Sequence, residues 1–351
     1  MHTEISFPNL GIYLKNVGKS IDLFGIEIAY YGIIIGTAIL LGFWIAAREA
    51  KRTGQNPENY LDMGIIGVIA GIVGARLYYV IFSWDMYKDN LLDIFNLREG
   101  GLAIYGGVIA AVISVLVLAK VKHLSAPQIF DTIAMALLNG QMLGRWGNFF
   151  NREAFGGYTD SLFAMRLPLD AVRSSDVTEQ MRRHIERIDG VSYIQVHPTF
   201  LYESLWNLFG FILIYTFART LKKHNGELFS MYIAWYGFGR FWVEGLRTDS
   251  LYLFTDHFVE EHGIYYNPRI SQIVALISVI WGIVLFILVR KGVFEKMYQR
   301  RLTKYREWLA AHPEKAKRLE KKKNVYVDQF LSSEPNTIIS SEPDSLPQEE
   351  S

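Results

Sequence analysis

Residues 144 to 156 read GRWGNFFNREAFG, a run in which five charged or amide side chains directly follow an apolar stretch. Guanidinium groups bind phosphate and carboxylate through paired N–H donors, and amide groups add further hydrogen bonds. If the helix continues through this run, Arg145, Asn148 and Arg152 share one face, within about 20 to 60 degrees of one another. They would then hold one anion together. The alternative is that Arg145 reaches the membrane interface and the asparagines cap the helix.

A second candidate lies at residues 235 to 247, WYGFGRFWVEGLR. Its polar residues recur every three or four positions, at Tyr236, Arg240, Glu244 and Arg247. This spacing predicts one stripe along a single helix face, and such a stripe faces protein or water rather than lipid. One interpretation is a structural Arg240–Glu244 ion pair. The other is that the carboxylate fixes the guanidinium fork while that fork binds an anion.

A third candidate is HPTFLYE, residues 197 to 203. Pro198 suits the first turn of a helix, which places Glu203 inside the apolar stretch that follows. Ionisable groups inside such stretches are costly and typically functional. Two smaller signals accompany it. Tyr31 begins the first apolar stretch, and Arg76 lies deep in the second.

The fourth candidate is GGLAIYGG, residues 100 to 107, where two glycine pairs flank Tyr105. Glycine permits close approach of a backbone, either to a neighbouring helix or to a ligand phosphate. The sequence leaves both alternatives open. Tyr105 would face the helix or ligand that approaches the two glycine pairs.

The elements that must position these residues follow from the composition. Of 351 residues, 50% are hydrophobic and 14% aromatic, more than a soluble protein of this size buries, so the chain is predicted to be a membrane protein. Its apolar stretches are close to the roughly 20 residues that cross the hydrocarbon core as a helix. We therefore predict an all-α, multi-pass bundle of seven transmembrane helices. They lie at residues 28–47, 64–82, 102–119, 127–146, 199–218, 228–243 and 270–289.

The distribution of basic residues predicts the orientation of these helices. Lys and Arg concentrate in the short loops after the first, third and fifth stretches and after residue 290, which places those segments in the cytoplasm. The N-terminus is then outside and the C-terminus cytoplasmic. The four polar candidates lie mostly at the outer ends of the helices.

The chain is expected to contain three regions. Residues 1–290 form the membrane-embedded domain, with an extracytoplasmic loop region at about 148–198. Residues 291–323 form a basic cytoplasmic segment. Residues 324–351 are rich in Ser, Pro, Glu and Asp without positive charge, a composition that predicts a disordered acidic tail.

Several chemistries lack their usual residues. There is no cysteine, so any thiol must come from a substrate, and no HExxH, GxSxG or P-loop motif is present. We expect no metal, no cofactor and no nucleic-acid partner. Arginines at the outer ends of membrane helices favour a pocket for an anionic lipid headgroup. A lipid or anion transporter is the alternative, although the polar clusters lie mostly at the outer ends of the helices, which disfavours a pathway across the membrane.

GRWGNFFNREAFG resembles the signature GRxGNFxNxExxG of the bacterial prolipoprotein diacylglyceryl transferase family, and every fixed position matches. The resemblance extends from residue 6 to about 290, through SFPNLGI, AYYG, GARLYYV, GGLAIYGG, HPTFLYE and RFWVEGLRTDSL. It implies a multi-pass enzyme of the bacterial plasma membrane whose site faces the extracytoplasmic side. Such an enzyme transfers diacylglyceryl from phosphatidylglycerol to the lipobox cysteine of a prolipoprotein signal peptide and releases glycerol phosphate.

The resemblance also implies roles for residues. Arg145 and Arg240 would stabilise the charge that develops on the departing phosphate, and Glu153 and Glu244 would orient the guanidinium groups. The catalytic set expected on this basis is Tyr105, Arg145, Arg240 and Glu244. The set expected to bind phosphatidylglycerol is Arg145, Asn148, Asn151, Glu153, Gly156, Tyr31, Glu203 and Arg247.

Tyr105 departs from the family pattern, in which many members carry His between the glycine pairs as the proposed base. A free Tyr has a pKa near ~10 and a free thiol near ~8.5, so Tyr105 is a poor base at neutral pH. We therefore expect the positive field of the arginines to favour the thiolate, with Tyr105 as a hydrogen-bond partner.

Overall fold

The computed structural model describes residues 3–96, 100–122, 124–254 and 267–312. The chain divides into two units, Met1–Lys291 and Gly292–Ser351. In the second unit the described part is essentially one helix. Residues 313–323 of the predicted basic segment and the predicted acidic tail at 324–351 lie outside the described residues.

The seven apolar stretches each correspond to a long helix. In hydrocarbon a backbone must bond its own N–H and C=O groups, so continuous apolar runs of this length form helices. The α-helices of the described residues are α1 (Tyr30–Arg52), α2 (Glu58–Phe82), α3 (Ile104–Val121), α4 (Ala126–Asn151), α5 (Glu179–Arg183), α6 (Thr199–Thr220), α7 (Glu227–Leu246), α8 (Ile270–Arg290) and α9 (Val293–Ala311).

Five of these helices, α1, α2, α3, α6 and α8, are long and apolar enough to cross a membrane. Helices α4 and α7 are of similar length but are not among the five. They carry the polar runs around Arg145 and Arg240, and these residues make them less apolar than their neighbours. These two helices thus carry both arginines of the candidate site, whereas Glu203 lies on the apolar helix α6.

The prediction of an all-α fold is wrong, because the N-terminal residues and the 148–198 region form a sheet. Five antiparallel strands lie in the order β2-β1-β5-β7-β6, and β3 and β4 form a separate hairpin before α1. The strands are β1 (Ile5–Phe7), β2 (Ile12–Leu14), β3 (Ser20–Leu23), β4 (Ile26–Ala29), β5 (Met165–Pro168), β6 (Glu186–Ile188) and β7 (Val191–Val196).

One face of this sheet packs against the ends of two helices. Ile5, Leu167 and Ile194 are fully buried and belong to the same apolar core as Phe149 near the end of α4 and Phe200 at the start of α6. Burial of this apolar surface joins the sheet to both helices. The sheet therefore fixes the ends of the helices that carry Arg145 and Glu203.

Arg152 anchors the N-terminal segment to α4 and does not lie on the predicted anion-binding face. The helix ends at Asn151, and Arg152 adopts a left-handed conformation with φ 54°. Its buried guanidinium donates to the carbonyl oxygens of Thr3 at 3.0 Å and Val17 at 2.5 Å. The prediction that Arg152 shares a helix face with Arg145 and Asn148 required α4 to continue through Arg152. Because α4 ends at Asn151, this prediction is wrong for Arg152.

Glycines bring α2 and α3 together. A Cβ at Gly106 would collide with the carbonyl oxygen of Gly74, so only glycine permits this approach. Helix packing thus accounts for the second glycine pair of residues 100–107. Arg76 of α2 is buried, and its side chain donates to five backbone carbonyls in the segment before α3, including those of Gly100 and Gly101. Arg76 therefore shapes the segment that leads to Tyr105.

Candidate active site

Helices α4, α6 and α7 pack against one another, and each contributes a charged side chain to one cluster. Glu203 of α6 is 5% exposed and lies between two arginines. Its Oε2 atom is 2.8 Å from Nε of Arg145 on α4, and its Oε1 atom is 3.5 Å from Nη1 of Arg240 on α7. One buried carboxylate therefore joins two guanidinium groups from two different helices.

Glu244 supports the same cluster from α7. Its Oε2 atom is 2.5 Å from Nη2 of Arg240, one helical turn away, and the residue is 2% exposed. The Arg240–Glu244 pair expected from the spacing of α7 is present. Because Glu203 and Glu244 both contact Arg240, its guanidinium is held in one plane while its Nε has no partner among the described residues.

Asn148 links Arg145 to a second carboxylate. Arg145 Nη1 donates to Asn148 Oδ1 at 3.5 Å, and Asn148 Nδ2 donates to Glu153 Oε1 at 3.1 Å. Asn151 Nδ2 donates to the same oxygen at 3.2 Å. Glu153 thus contacts Arg145 through an asparagine rather than directly. Its other oxygen lies 3.7 Å from Nη2 of Arg173, an exposed residue that the sequence analysis did not select.

A pair of tryptophans sets the register of α6 against α7. Nε1 of Trp206 donates to the carbonyl of Trp235 at 3.1 Å, and Nε1 of Trp235 donates to that of Trp206 at 3.1 Å. Their rings stack with centroids 4.2 Å apart. Each ring lies over a glycine of the opposite helix, Gly239 and Gly210, where a Cβ would collide with it. Because Trp206 is one turn from Glu203, and Gly239 adjoins Arg240, this pair positions the ion-paired side chains.

Gly239→Ala is therefore expected to destabilise the protein by about 1–3 kcal/mol, because the added methyl group must displace a rigid indole. The measurement is the thermal unfolding midpoint of the purified protein. Gly36→Ala on α1 is the matched control, since a Cβ there meets no atom within 4 Å. Equal midpoints for the two variants would contradict the assigned packing role.

Gly156 lies where three segments of the chain meet. Its N–H donates to the carbonyl of His197 at 3.0 Å, and the next N–H donates to the carbonyl of Leu246 at 2.9 Å. A Cβ at Gly156 would lie 2.7 Å from that of His197. Gly156 thus joins the ends of α4, α6 and α7 at one point, and a side chain here would separate them.

Arg247 does not belong to the helical stripe predicted for residues 236–247. Helix α7 ends at Leu246, and Arg247 has extended backbone. Its guanidinium makes two hydrogen bonds to Asp249, at 2.8 and 2.6 Å. Burial alone would raise the pKa of the Asp249 carboxyl, but the hydrogen bonds and charge of Arg247 hold this pKa below its usual value. Asp249 therefore stays ionised at neutral pH, and a phosphate would compete with it for Arg247.

The two candidate tyrosines, Tyr31 and Tyr105, lie at different distances from α4 along the packing of the helices. The Tyr31 ring of α1 lies over Gly147 of α4, two residues after Arg145, where a Cβ would collide with it. Tyr105 is 41% exposed near the start of α3, a helix that packs mainly against α2. Within the described ranges no hydrogen bond joins Tyr105 to the arginines.

The geometry of the cluster fits the binding of an anion at the end of the helices. Arg145 uses Nε and Nη1 for Glu203 and Asn148, so its Nη2 has no partner among the described residues. Arg240 likewise keeps Nε unpaired within those residues. The carboxylates hold one edge of each guanidinium, and the remaining donors could approach phosphate oxygens. Among the described residues no group of three or more metal-binding side chains occurs.

Comparison with known proteins gives the decisive observation: the family described as prolipoprotein diacylglyceryl transferase matches residues 19–288. The chain belongs to this family. It is 43% identical over 281 residues to the phosphatidylglycerol–prolipoprotein diacylglyceryl transferase of Bacillus mycoides strain KBAB4, which covers 80% of this chain and 94% of that protein. Proteins of the same name from Bacillus cereus strain Q1 and Bacillus anthracis strain A0248 are 43% and 42% identical with the same coverage.

Membership in the prolipoprotein diacylglyceryl transferase family confirms the resemblance inferred from GRWGNFFNREAFG. In this transferase the motif occupies the last two turns of α4 and the five residues that follow. It therefore supplies Arg145 and Asn148 from the helix and Gly156 from the junction beyond it. The match also covers α6 and α7, which carry Glu203 and Arg240.

Sequence reasoning missed two residues, Trp146 within the transferase motif and Ser204 of α6 beside it. Trp146 Nε1 donates to Ser204 Oγ at 3.2 Å, and Ser204 Oγ donates to the carbonyl of Met142 at 3.0 Å. These bonds hold α4 against α6 directly beside the Arg145–Glu203 contact. The position of Ser204, immediately after Glu203 in an otherwise apolar helix, was the available signal.

Proposed function

We propose that this chain transfers the diacylglyceryl group of phosphatidylglycerol to the thiol of a lipobox cysteine in a prolipoprotein signal peptide. The product is a thioether, and glycerol phosphate is released. The relatives named above carry both substrates in their names, which supports phosphatidylglycerol and prolipoprotein as the substrates here. The observation that carries the proposal is the pair of guanidinium groups, Arg145 and Arg240, held by one buried carboxylate at the end of membrane helices.

The reaction makes one bond and breaks one bond. The thiolate sulfur attacks the glyceryl carbon that carries the phosphate ester, and the carbon–oxygen bond to phosphate breaks. The bonding electrons leave with the phosphate oxygen, and the thiol proton is released. The negative charge on phosphate rises as this bond breaks, so donors that are already oriented stabilise the transition state more than the bound lipid. Arg145 and Arg240 supply these donors in our proposal.

Glu203, Glu244 and Asn148 keep those donors in place. A mobile arginine side chain loses rotamer entropy when its guanidinium binds a phosphate. A carboxylate that already holds the guanidinium removes this entropic cost before the substrate binds. Glu203 does so for both arginines at once. We assign phosphatidylglycerol binding to this cluster and to Tyr31, Asn151, Glu153, Gly156 and Arg247 around it.

The role of Tyr105 gives a test of how the thiol loses its proton. Because the arginine field favours the thiolate, Tyr105→Phe is expected to lower kcat by about tenfold or less, the loss of one hydrogen bond. Transfer rates of wild type, Tyr105→Phe and Tyr105→His with the same peptide measure this. Complete loss in Tyr105→Phe, together with a faster Tyr105→His variant, would instead make residue 105 the base.

We propose that α4 and α7 cross the membrane together with the five apolar helices, with the sheet outside a bacterial plasma membrane. Basic residues support this orientation. Arg52, Lys122, Arg219, Lys222 and Arg290 lie at the ends of the helices opposite the sheet. Basic segments remain in the cytoplasm. The site then opens to the side on which a secreted prolipoprotein presents its cysteine.

The experiment combines purified protein, vesicles containing phosphatidylglycerol and a lipobox peptide with Cys or Ser at the acceptor position. Peptide mass and released glycerol phosphate are measured together. A diacylglyceryl mass gain on the Cys peptide alone, matched by glycerol phosphate, is the expected result. No mass gain, with lipid or anion movement across the vesicle instead, would overturn the proposal and favour transport.

A further inference from the structure

The β3–β4 hairpin at residues 20–29 has one apolar face and one polar face. In an antiparallel pair, residues opposite each other share a face, and so do alternate residues of one strand. The register pairs Ile21 with Ile28 and Leu23 with Ile26, which places these four apolar side chains on one face. The other face carries the remaining pairs, Ser20 with Ala29 and Asp22 with Glu27. The hairpin is therefore amphipathic.

The apolar face of this hairpin is exposed rather than packed against the protein. Ile21, Leu23 and Ile26 are all exposed, Ile26 to 66%. A hairpin of two four-residue strands is at best marginally stable in water unless an apolar face packs against something. Exposed apolar patches mark surfaces that meet a partner or a membrane. The mechanism proposed above uses none of these residues.

Phe24 forms the tip of the hairpin and is 97% exposed. Its φ is 56° and that of Gly25 is 80°, so both central residues of the turn have left-handed backbone. Such turns favour Asn–Gly, and a bulky residue rarely adopts this conformation. The ring gains almost nothing from packing within the protein to offset the strained backbone. This combination indicates a partner for Phe24 outside the chain.

The connection to α1 places the hairpin at the membrane surface. Strand β4 ends at Ala29 and α1 begins at Tyr30, so the strand leads directly into the helix. Helix α1 is long and apolar enough to cross a membrane, and its first residues lie at the end that we place outside. At about 3.3 Å per residue, the tip lies about 13 Å along the strand from the start of α1. A hairpin that lies flat therefore stays within the headgroup layer, where aromatic residues are enriched.

We propose that the β3–β4 hairpin lies in the headgroup layer of the outer leaflet, with its apolar face and Phe24 toward the acyl chains. Asp22 and Glu27 then face water, the arrangement of amphipathic segments at membrane surfaces. The partner is the lipid bilayer itself. This inference rests on the membrane placement of α1 proposed above. Because β4 leads directly into Tyr30 and Tyr31, the anchored hairpin would hold Tyr31 at the level of the phospholipid headgroups.

The test uses the absence of cysteine, since any single introduced Cys is a unique labelling site. Full-length Ile26→Cys and Glu27→Cys variants carry a small fluorophore in nanodiscs of phosphatidylcholine and phosphatidylglycerol. Brominated phosphatidylcholine quenches a fluorophore among the acyl chains, and iodide quenches one in water. The Ile26 label should be quenched by the brominated lipid, and the neighbouring Glu27 label by iodide. Leu40→Cys, an exposed position in the middle of α1, is the control for the membrane span.

Phe24→Asn separates the folding of the turn from its contact with lipid. Asn suits a positive φ, so the hairpin should form at least as well, but its tip loses the apolar ring. Added to the Ile26→Cys variant, it should weaken quenching by the brominated lipid without lowering the thermal unfolding midpoint. Unchanged quenching would show that Phe24 does not enter the membrane. A lower midpoint would show that the ring packs within the protein, and either result would overturn the role of Phe24.

The three labels distinguish failure of the inference from failure of what it rests on. Equal quenching of the Ile26 and Glu27 labels by either quencher, with Leu40 quenched by lipid, would overturn the inference alone. Protection of the Ile26 label from iodide only after the lipobox peptide is added would also overturn it and assign the face to the peptide. An absence of lipid quenching at Leu40 would overturn the membrane placement of α1. Transfer activity in the same nanodiscs tests the proposed reaction independently of the labels.

Discussion

Arg240→Gln should lower kcat by about 10²–10³-fold, the loss typical when one oriented donor to a developing negative charge is removed. Arg240 is held by two carboxylates, since Glu203 and Glu244 contact two of its three nitrogens. Gln retains a polar side chain but supplies neither the charge nor the fork. The measurement is glycerol phosphate release at saturating phosphatidylglycerol, with the peptide in excess.

Arg240→Lys separates charge from geometry. An ammonium group keeps the positive charge but cannot bind Glu203, Glu244 and a phosphate in one plane. Its kcat should therefore lie between those of wild type and Arg240→Gln. A kcat for Arg240→Gln within threefold of wild type would show that Arg240 only holds α6 and α7 together.

Glu203→Gln should have the largest combined effect on activity and stability. Breaking a buried ion pair by removing one partner typically costs about 3–5 kcal/mol, and here one substitution breaks two pairs. The guanidinium groups of Arg145 and Arg240 would then repel each other without a carboxylate between them. We expect a thermal midpoint well below that of wild type and a kcat reduced by at least 10²-fold.

Glu244→Gln is the matched comparison, because it breaks one ion pair and leaves Glu203 between both arginines. Its loss of stability and of kcat should each be smaller. If Glu244→Gln proved as harmful as Glu203→Gln, the bridging position of Glu203 would have no special importance. The two arginines would then act independently rather than as one phosphate site.

The helices could be predicted because their signal is local. A run of apolar residues is enough to predict a membrane helix, and the predicted stretch at 199–218 corresponds to α6 at Thr199–Thr220. The main errors lie at the ends, where polar residues continue the helix beyond the apolar run. Helix α4 extends to Asn151, five residues past the predicted limit, and this extension brings Asn148 into line with Arg145.

The sheet could not be predicted because its strands are short and the pair at its centre is not local. Strands β1 and β5 are three and four residues long, too short for a clear alternation, and they pair with each other through Ser6 and Arg166, which lie far apart in the sequence. The 148–198 region therefore resembled a long loop. The role of Arg152 was missed for the same reason, since its partners Thr3 and Val17 belong to the N-terminal segment.

The candidate site was predictable in its residue types but not in its pairing. The spacing of α7 indicated Arg240 beside Glu244, and that contact is present. Nothing in the sequence indicated that Glu203 lies between Arg145 and Arg240, because three helices must pack before this contact exists.

The pairing of Ser6 with Arg166 also has a consequence for how the protein is made. Strand β1 is synthesised first, but its partner β5 follows 160 positions later, after four long helices. At about 5–20 residues per second, the N-terminal segment waits roughly 8 to 30 seconds with an open strand edge. Until β5 arrives, Arg152 cannot bind Thr3 and Val17 in their final positions. Cells in which translation is slowed should therefore accumulate chains whose N-terminal segment is accessible to proteases, although helices α1 to α4 have already been synthesised.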